Sequence, residues 1–476
     1  MLRLLAREIR EGRRTAEETV HEAVQRIGDA HPLNAIVSMR TEAAVAEARI
    51  TDEAIERHLP VGPMAGIPFL VKDIEDVEGL PTTFGSRLYA SARPAARDGL
   101  IVSRLKALGA IVVGKTNTPE LAIEGYTANS LFGATLNPWA PAWSPGGSSG
   151  GSAAALAAGL APLVTATDVG GSVRIPASLC GLVGLKPTLG VIGRDPSLAA
   201  PELNSHGLLG ITVADVRYQL QALAGFTVGD PGTAALSHGF HRAPRWRIFS
   251  SETLSAEIAL SQEVSSLFRE VVSIVDKTIA PVEWINPERI VKQYRRDDLM
   301  TILGAEMAGE LGGQTIEAGA HLLDPKTLNF LRAGLHRSLD EYLAARRRRL
   351  GYIRDVDVLL AGEGLLLTPT LTVAGWDPEG RMPGGSESGI PSSAYNTGLL
   401  NLTGHPTLSL PGGRHSSGLP FGFQVVAPRF RDALVLEFGS AWARSRPWPS
   451  AAPGYQPFGK HRPAKASNRE NALIDL

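Results

Sequence analysis

A single cysteine, Cys180, stands among 476 residues. No internal disulfide can form, and the composition suits a reducing compartment, so a cytoplasmic location is expected. A lone thiol of this kind reads as a small buried hydrophobe before it reads as a nucleophile. Charge of either sign is also lacking in excess: 47 Lys and Arg face 48 Asp and Glu. Proteins that hold polyanions usually carry a clear basic surplus, so nucleic acid is not an expected partner. Crossing a bilayer takes ~20 apolar residues, and the least polar stretch, Ala153 to Thr167, is short and interrupted. The opening MLRLLAREIREGRR has charges every few residues and no apolar h-region, so neither a signal peptide nor a membrane partner is expected. The 11 histidines are scattered, without H-E-x-x-H or paired Cys/His spacing, and no metal or cofactor is expected.

What is present is ample apolar material, 43% of residues, enough to bury a large core. At ~150 residues per domain the length would allow two to four domains. No stretch has the composition of an interdomain linker, so a single domain over residues 1–476 is expected. Thr15-Ala16-Glu17-Glu18 has the capping-box form and opens a helical pattern that should stop before Pro32. A second helix is expected from about Thr41 to Leu59. GIPFLVKD, Gly66 to Asp73, is a short apolar run behind a Gly/Pro turn and predicts a buried strand ending in Lys72. A helix over Gly99–Gly109 and a strand over Ala110–Thr116 follow, and LVTATDVGG, Leu163 to Gly171, predicts a third strand opening into a glycine turn. Alternation of this kind points to an α/β layered fold.

The second half is less legible. RIFSSETL and VLLAGEGLLLTPTLT carry strand-like runs, and Leu260 to Val275 predicts an amphipathic helix. From Arg444 onward Pro, Gly and basic residues suggest a surface-hugging tail. The basic run Arg346 to Arg349 follows Asp340 and Glu341 in a helix-like segment, which predicts a solvated helix end rather than a nucleic-acid site.

One loop raises a chemical question. PGGSSGGSAAALAAG, Pro145 to Gly159, could be a tether, a phosphate cradle or a hydrolase elbow, since Gly146, Ser148 and Gly150 spell G-x-S-x-G. A tether should lead to a new composition, but an alanine-rich helix follows. No lysine follows the glycines as a P-loop requires. The preceding NPWAPAWSPGG, rich in proline, cannot be the central strand of an elbow, although His405 could serve such a site as a base. Ser103 and Lys106 match S-x-x-K without the accompanying motifs. What remains is a serine-rich turn at a helix start. A second anchor lies in DVGGSVRIPA, Asp168 to Ala177, where paired glycines allow successive N–H groups to converge as an oxyanion hole requires. Lys72 is a base candidate because desolvation favours its neutral form; a surface lysine capping a strand is the alternative.

Taken together, GIPFLVKD, GLPTTFGS, GKTNTPELA, SPGGSSGGSAAALAAG and TDVGGSVRIPASLCGLVGLKPTLG, in that order and closely spaced, resemble the amidase signature family. The likeness is strongest over residues 62–190 and resumes at NLTGHPTLSLPGG and LPFGFQVVAPRFRDALVL. It implies one α/β/α domain with a central mixed, twisted β-sheet covered by helices, and substrate choice in a variable region near residues 230–393. It also implies a Ser–Ser–Lys triad: Ser172 as nucleophile, Ser148 after a cis Gly147–Ser148 bond as relay, and Lys72 as base. The N–H groups of Val169, Gly170, Gly171 and Ser172 would form the oxyanion hole, with Ser149 and Arg174 in support. The implied activity is hydrolysis of a small-molecule amide through an acyl-enzyme, with a homodimer as the candidate assembly. The rival within the resemblance is a glutaminase like the A subunit of glutamyl-tRNA(Gln) amidotransferase, working in a complex. Where the family commonly reads G-P-M-x-R-T-V-A-D, this chain has GLLGITVAD, with Leu208 and Ile211 at the departures.

Overall fold

The computed structural model describes residues 1–194, 202–228, 230, 232–233, 246–255, 258, 260–382 and 395–459. Two runs of continuous apolar sequence set the first sheet: β2 (Pro68–Lys72) and β3 (Ile111–Thr116) are buried at every position. Strands without polar alternation need cover on both faces, which suits a parallel pair. They do pair in parallel, with β1 (Ile36–Met39) antiparallel on the outer side of β3. A two-residue strand, numbered below as β6 (Leu163–Val164), runs parallel to β2 on its other side. The helices Ala16–Asp29 and Thr41–Glu56 pack together beside these strands. The first opens on the expected capping box, with Thr15 and Glu18 exchanging hydrogen bonds of 2.9 and 3.0 Å.

A hairpin of β4 (Ala128–Asn129) and β5 (Gly133–Ala134) stands apart. The larger sheet contains β7 (Ala166–Asp168), β8 (Val183–Lys186), β9 (Ser205–Gly210), β10 (Arg247–Ser250), β11 (Val282–Trp284), β12 (Gly364–Pro369), β13 (Thr407–Arg414) and β14 (Pro420–Val426). Its order is β11-β10-β12-β14-β13-β8-β9-β7. β11, β10 and β12 run parallel, and the remaining neighbours are antiparallel. The fold is thus a mixed α/β assembly, as expected.

The expected third strand is broken at Thr165: Leu163–Val164 belongs to the smaller sheet and Ala166–Asp168 to the larger. Thr165 turns its hydroxyl to the N–H of Lys72 at 2.9 Å, so the break also braces the end of β2. Of the two departures, Leu208 falls in β9, buried against the core, and Ile211 directly follows that strand, partly buried. The helix Gly150–Ala157 is buried at every residue.

The basic run Arg346–Arg349 corrects its sequence reading. It lies inside the helix Leu339–Leu359, not at its end. Arg348 donates to Asp298 at 2.6 and 2.9 Å, while Arg346 and Arg349 reach Glu202 at 2.7 and 2.8 Å. Packing on the helix Asp297–Leu311 turns this face toward acids, and of the four Arg347 alone is exposed. Of the tail, residues 446–459 return to the body, where Arg26 holds the carbonyls of Gln456 and Pro457. Residues 460–476 lie outside the described residues.

The buried alanine helix yields a contrast. Ala154 has no exposed surface, so Ala154→Leu should overpack the core at a cost of about 1–3 kcal/mol. The exposed Ala43 on the helix Thr41–Glu56 should accept leucine within about 0.5 kcal/mol. Thermal denaturation of both variants checks this, with a lower midpoint expected for Ala154→Leu alone.

Candidate active site

Three lysines, Lys72, Lys115 and Lys186, are almost fully removed from solvent, and their partners separate them. Lys115 is ion-paired to Asp73 at 2.7 Å and donates to the Pro81 carbonyl. Lys186 donates to the Pro187 carbonyl at 2.9 Å. Among the described residues the Lys72 amine hydrogen-bonds only to hydroxyls: its Nζ lies 2.7 Å from Ser148 Oγ and 3.0 Å from Thr167 Oγ1. Burial pushes its pKa down to about 7, against the opposing pull of Glu75 and Asp168. A buried amine with no carboxylate in contact can therefore be neutral near pH 7 and accept a proton from the hydroxyl beside it.

Ser148 follows a cis Gly147–Ser148 peptide. Gly147 is sterically required, since a Cβ there would lie 2.5 Å from the Tyr126 carbonyl oxygen and 2.7 Å from that of Glu124. Thr118 donates to the Ser148 carbonyl at 3.0 Å and Thr127 to the Gly146 carbonyl at 2.7 Å, fixing the loop from its far side. Ser149 joins the two serine loops: its N–H donates to the Ser172 carbonyl at 3.2 Å, and its Oγ donates to the Thr167 carbonyl at 3.3 Å.

The glycine turn is organised by Asp168. Its carboxylate accepts from the N–H groups of Gly171 and Val173 at 2.8 and 3.1 Å, and from Arg174 Nε and Nη2 at 3.0 and 2.8 Å. Burial alone would raise the Asp168 pKa, but Arg174 and Asn401 hold it well below the usual carboxylate range. Arg174, with no exposed surface, also donates to the Thr397 carbonyl, Gln424 and Asn401. The turn passes through Gly171 at φ 127°, where a side chain would strike Thr397. Because Gly171 N–H is engaged by Asp168, the N–H groups of Val169, Gly170 and Ser172 are the ones without such a partner among the described residues.

Ser148, Thr167, Val169 and Ser172 share one cavity of about 330 Å³. Its remaining wall is largely apolar and includes Phe84, Leu121, Leu303 and Met307. Leu121 and Ala122 in this wall have φ of 50° and 57°, a left-handed pair where non-glycine residues are uncommon. A neighbouring cavity of about 300 Å³ shares Ile74 and Phe84 with it and is lined by Glu75, Asp76 and His206.

The structure thus brings together Lys72, Ser148 and Ser172, with the Val169–Ser172 turn, Ser149 and Arg174 around them. His405 does not join them: it is buried beside Asp357, its Nε2 3.2 Å from Oδ1, and does not line the cavity. Ser103 and Lys106 lie on the helix Leu100–Ala107, with Lys106 bonded to Asp98. Cys180 is buried at the Pro145 carbonyl, and burial pushes its thiol pKa well up. Sequence reasoning missed Thr167, Thr165, Asn401 and Asn204. Thr167 lies two residues beyond Thr165 on the strand-like run, but nothing local marks it as a partner of Lys72.

Sequence and fold place the chain in a class, the enzymes that act on carbon–nitrogen bonds. The Amidase family profile matches residues 18–436, and the chain belongs to that family, the amidase signature enzymes. It is similar to the glutamyl-tRNA(Gln) amidotransferase A subunit of Chloroflexus aggregans, at 31% identity over 473 residues, covering 93% of this chain and 95% of that one. It is also similar in structure to a bacterial aryl acylamidase, with a TM-score of 0.83, 25% identity and coverage of 93% and 95%. A 6-aminohexanoate cyclic dimer hydrolase gives a TM-score of 0.82 at 28% identity, with coverage of 95% and 98%. No helix among the described residues is long and apolar enough to cross a membrane.

Removing the charge at the centre of the turn tests its architecture. Asp168→Asn leaves the Arg174 guanidinium buried without its counter-charge and should cost about 3–5 kcal/mol. Thermal denaturation should show a large drop for this variant and almost none for Glu317→Gln, whose partner Arg332 is exposed.

Proposed function

We propose that this chain hydrolyses the C–N bond of a carboxylic amide, giving a carboxylate plus ammonia or an amine, through an acyl-enzyme on Ser172. The observation that carries this reading is the fully buried Lys72 at 2.7 Å from the hydroxyl of Ser148, which lines one cavity with the partly exposed Ser172. Neutral Lys72 accepts the Ser148 proton as Ser148 takes the proton of Ser172, whose Oγ attacks the amide carbon. The oxyanion is stabilised by N–H groups of the turn, with Val169, Gly170 and Ser172 available and Gly171 held by Asp168. Ser148 then delivers a proton to the departing nitrogen, Lys72 replenishes it, and the C–N bond breaks. Water enters, loses a proton through the same relay, and releases the acid. A small-molecule substrate and a reducing compartment such as the cytoplasm fit the cavity of about 330 Å³ and the buried free thiol Cys180.

A second reading is favoured by one observation: curated relatives at about this identity are A subunits of glutamyl-tRNA(Gln) amidotransferase. Under it the chain would release ammonia from glutamine inside a complex. Glutamine-dependent ammonia release that appears only when a B-type subunit is co-expressed would select it.

Kinetics test the first reading. Ser172→Ala and Lys72→Ala should each lower amide turnover by at least about 1,000-fold while folding normally. Since the active form of Lys72 is the neutral one, wild-type kcat/KM should rise with pH through an apparent pKa of about 7. Turnover that survives in Ser172→Ala, or a profile that falls across this range, contradicts the assignment.

A further inference from the structure

The cavity beside Ser172 is uneven in its chemistry. The hydroxyls of Ser148, Thr167 and Ser172 cluster together, and its walls are largely apolar, with Phe84, Leu121, Ile123, Leu303 and Met307 among them. None of the described residues lining it is a lysine, an arginine or a histidine. Among the described residues its one charged lining residue is Glu310, an exposed acid whose pKa is raised first by desolvation and then by neighbouring Glu306. Its remaining polar side chains are Tyr89 and Asn204; Asn204 is only 6% exposed, and its Oδ1 is buried with no hydrogen-bond partner among the described residues. Buried polar atoms are nearly always satisfied, so an orphan on a residue that lines a cavity is a candidate acceptor for a bound ligand's donor.

We propose that this cavity selects neutral amides with an apolar acyl group, holds a polar hydrogen of the bound amide on the Asn204 carboxamide, and rejects amides that carry a carboxylate, free glutamine included. The inference rests on the amidase reading and names its substrate class. Two opposed effects decide it. An alkyl or aryl acyl group gains by leaving water for the walls. A carboxylate placed there loses its hydration, finds no cation to pair with, and faces the like charge of Glu310. At about 330 Å³ the space lies at the small end of ligand pockets, ~300–1,000 Å³, which suits one ring or a short branched chain. Asn204 supplies the neutral complement, a carboxamide that meets an N–H which an ester lacks.

The test uses the purified full chain with hexanamide, benzamide, adipamic acid (the ω-carboxylate counterpart of hexanamide) and L-glutamine, and monitors Ser172 with an alkyl fluorophosphonate. The neutral amides should exceed both carboxylate-bearing ones in kcat/KM by about 100-fold or more. Glu310→Lys should narrow the gap between hexanamide and adipamic acid by about tenfold. Asn204→Leu should lower hexanamide turnover by about tenfold while slowing ethyl hexanoate much less, because the ester has no N–H to lose. Glutamine or adipamic acid turned over as fast as hexanamide, with Ser172 still labelled, overturns the substrate class and leaves the amidase reading standing. Equal losses on amide and ester in Asn204→Leu overturn the role of Asn204. Absence of both labelling and amide turnover overturns the inference together with the reading beneath it.

Discussion

The buried contact between Asp168 and Arg174 ties the site to the rest of the protein. Asp168 ends β7, and its carboxylate gathers the N–H groups of the turn that carries Ser172. Arg174 opens the helix Arg174–Leu179 and reaches the Thr397 carbonyl, Asn401 and Gln424. One ion pair therefore fixes a strand end, a glycine turn, a helix start, the helix Tyr395–Thr403 and β14 relative to one another. Desolvating two charges is expensive, and the pair is tolerable because both groups also find neutral hydrogen-bond partners. Asn401 serves both sides, donating to Asp168 and accepting from Arg174 at 2.6 Å.

The same burial acts differently on Lys72. Desolvation disfavours its ammonium, and the hydroxyls of Ser148 and Thr167 offer polar contacts without a countercharge. Asp168 and Glu75 oppose that push from a distance, so the pKa settles near 7 rather than far below it. Glu75 is itself part of a chain. Thr165 donates to Glu75 while accepting from the Lys72 N–H, and His206 Nδ1 lies 3.1 Å from the other Glu75 oxygen. The break between β6 and β7 at Thr165 thus couples the backbone under Lys72 to the second cavity.

Much of the site was legible because its chemistry is local in sequence. β2 and β3 are continuous apolar runs, and the serine and glycine turns sit in short motifs, so the family resemblance those motifs carry together singles out Lys72, Ser148 and Ser172 before any fold is known. The contacts that hold them were not legible. Arg174 meets Asn401 across 227 positions, and no periodicity announces such a pair. The cavity wall was equally hidden: Leu303 and Met307 come from Asp297–Leu311, a helix with apolar residues around much of its circumference. Its buried face could not be chosen from spacing alone. The arginine run misled for a related reason, since a basic stripe reads as solvated until the acids opposite it, Asp298 and Glu202, are placed.

The central claim is that the serine of the glycine turn attacks and the serine beside the lysine relays protons. Peptide mapping by mass spectrometry after reaction with an alkyl fluorophosphonate distinguishes the two most directly. One adduct per chain on Ser172, absent when Lys72 is replaced by alanine, is the predicted result. An adduct on Ser148 with Ser172 unmodified would contradict it.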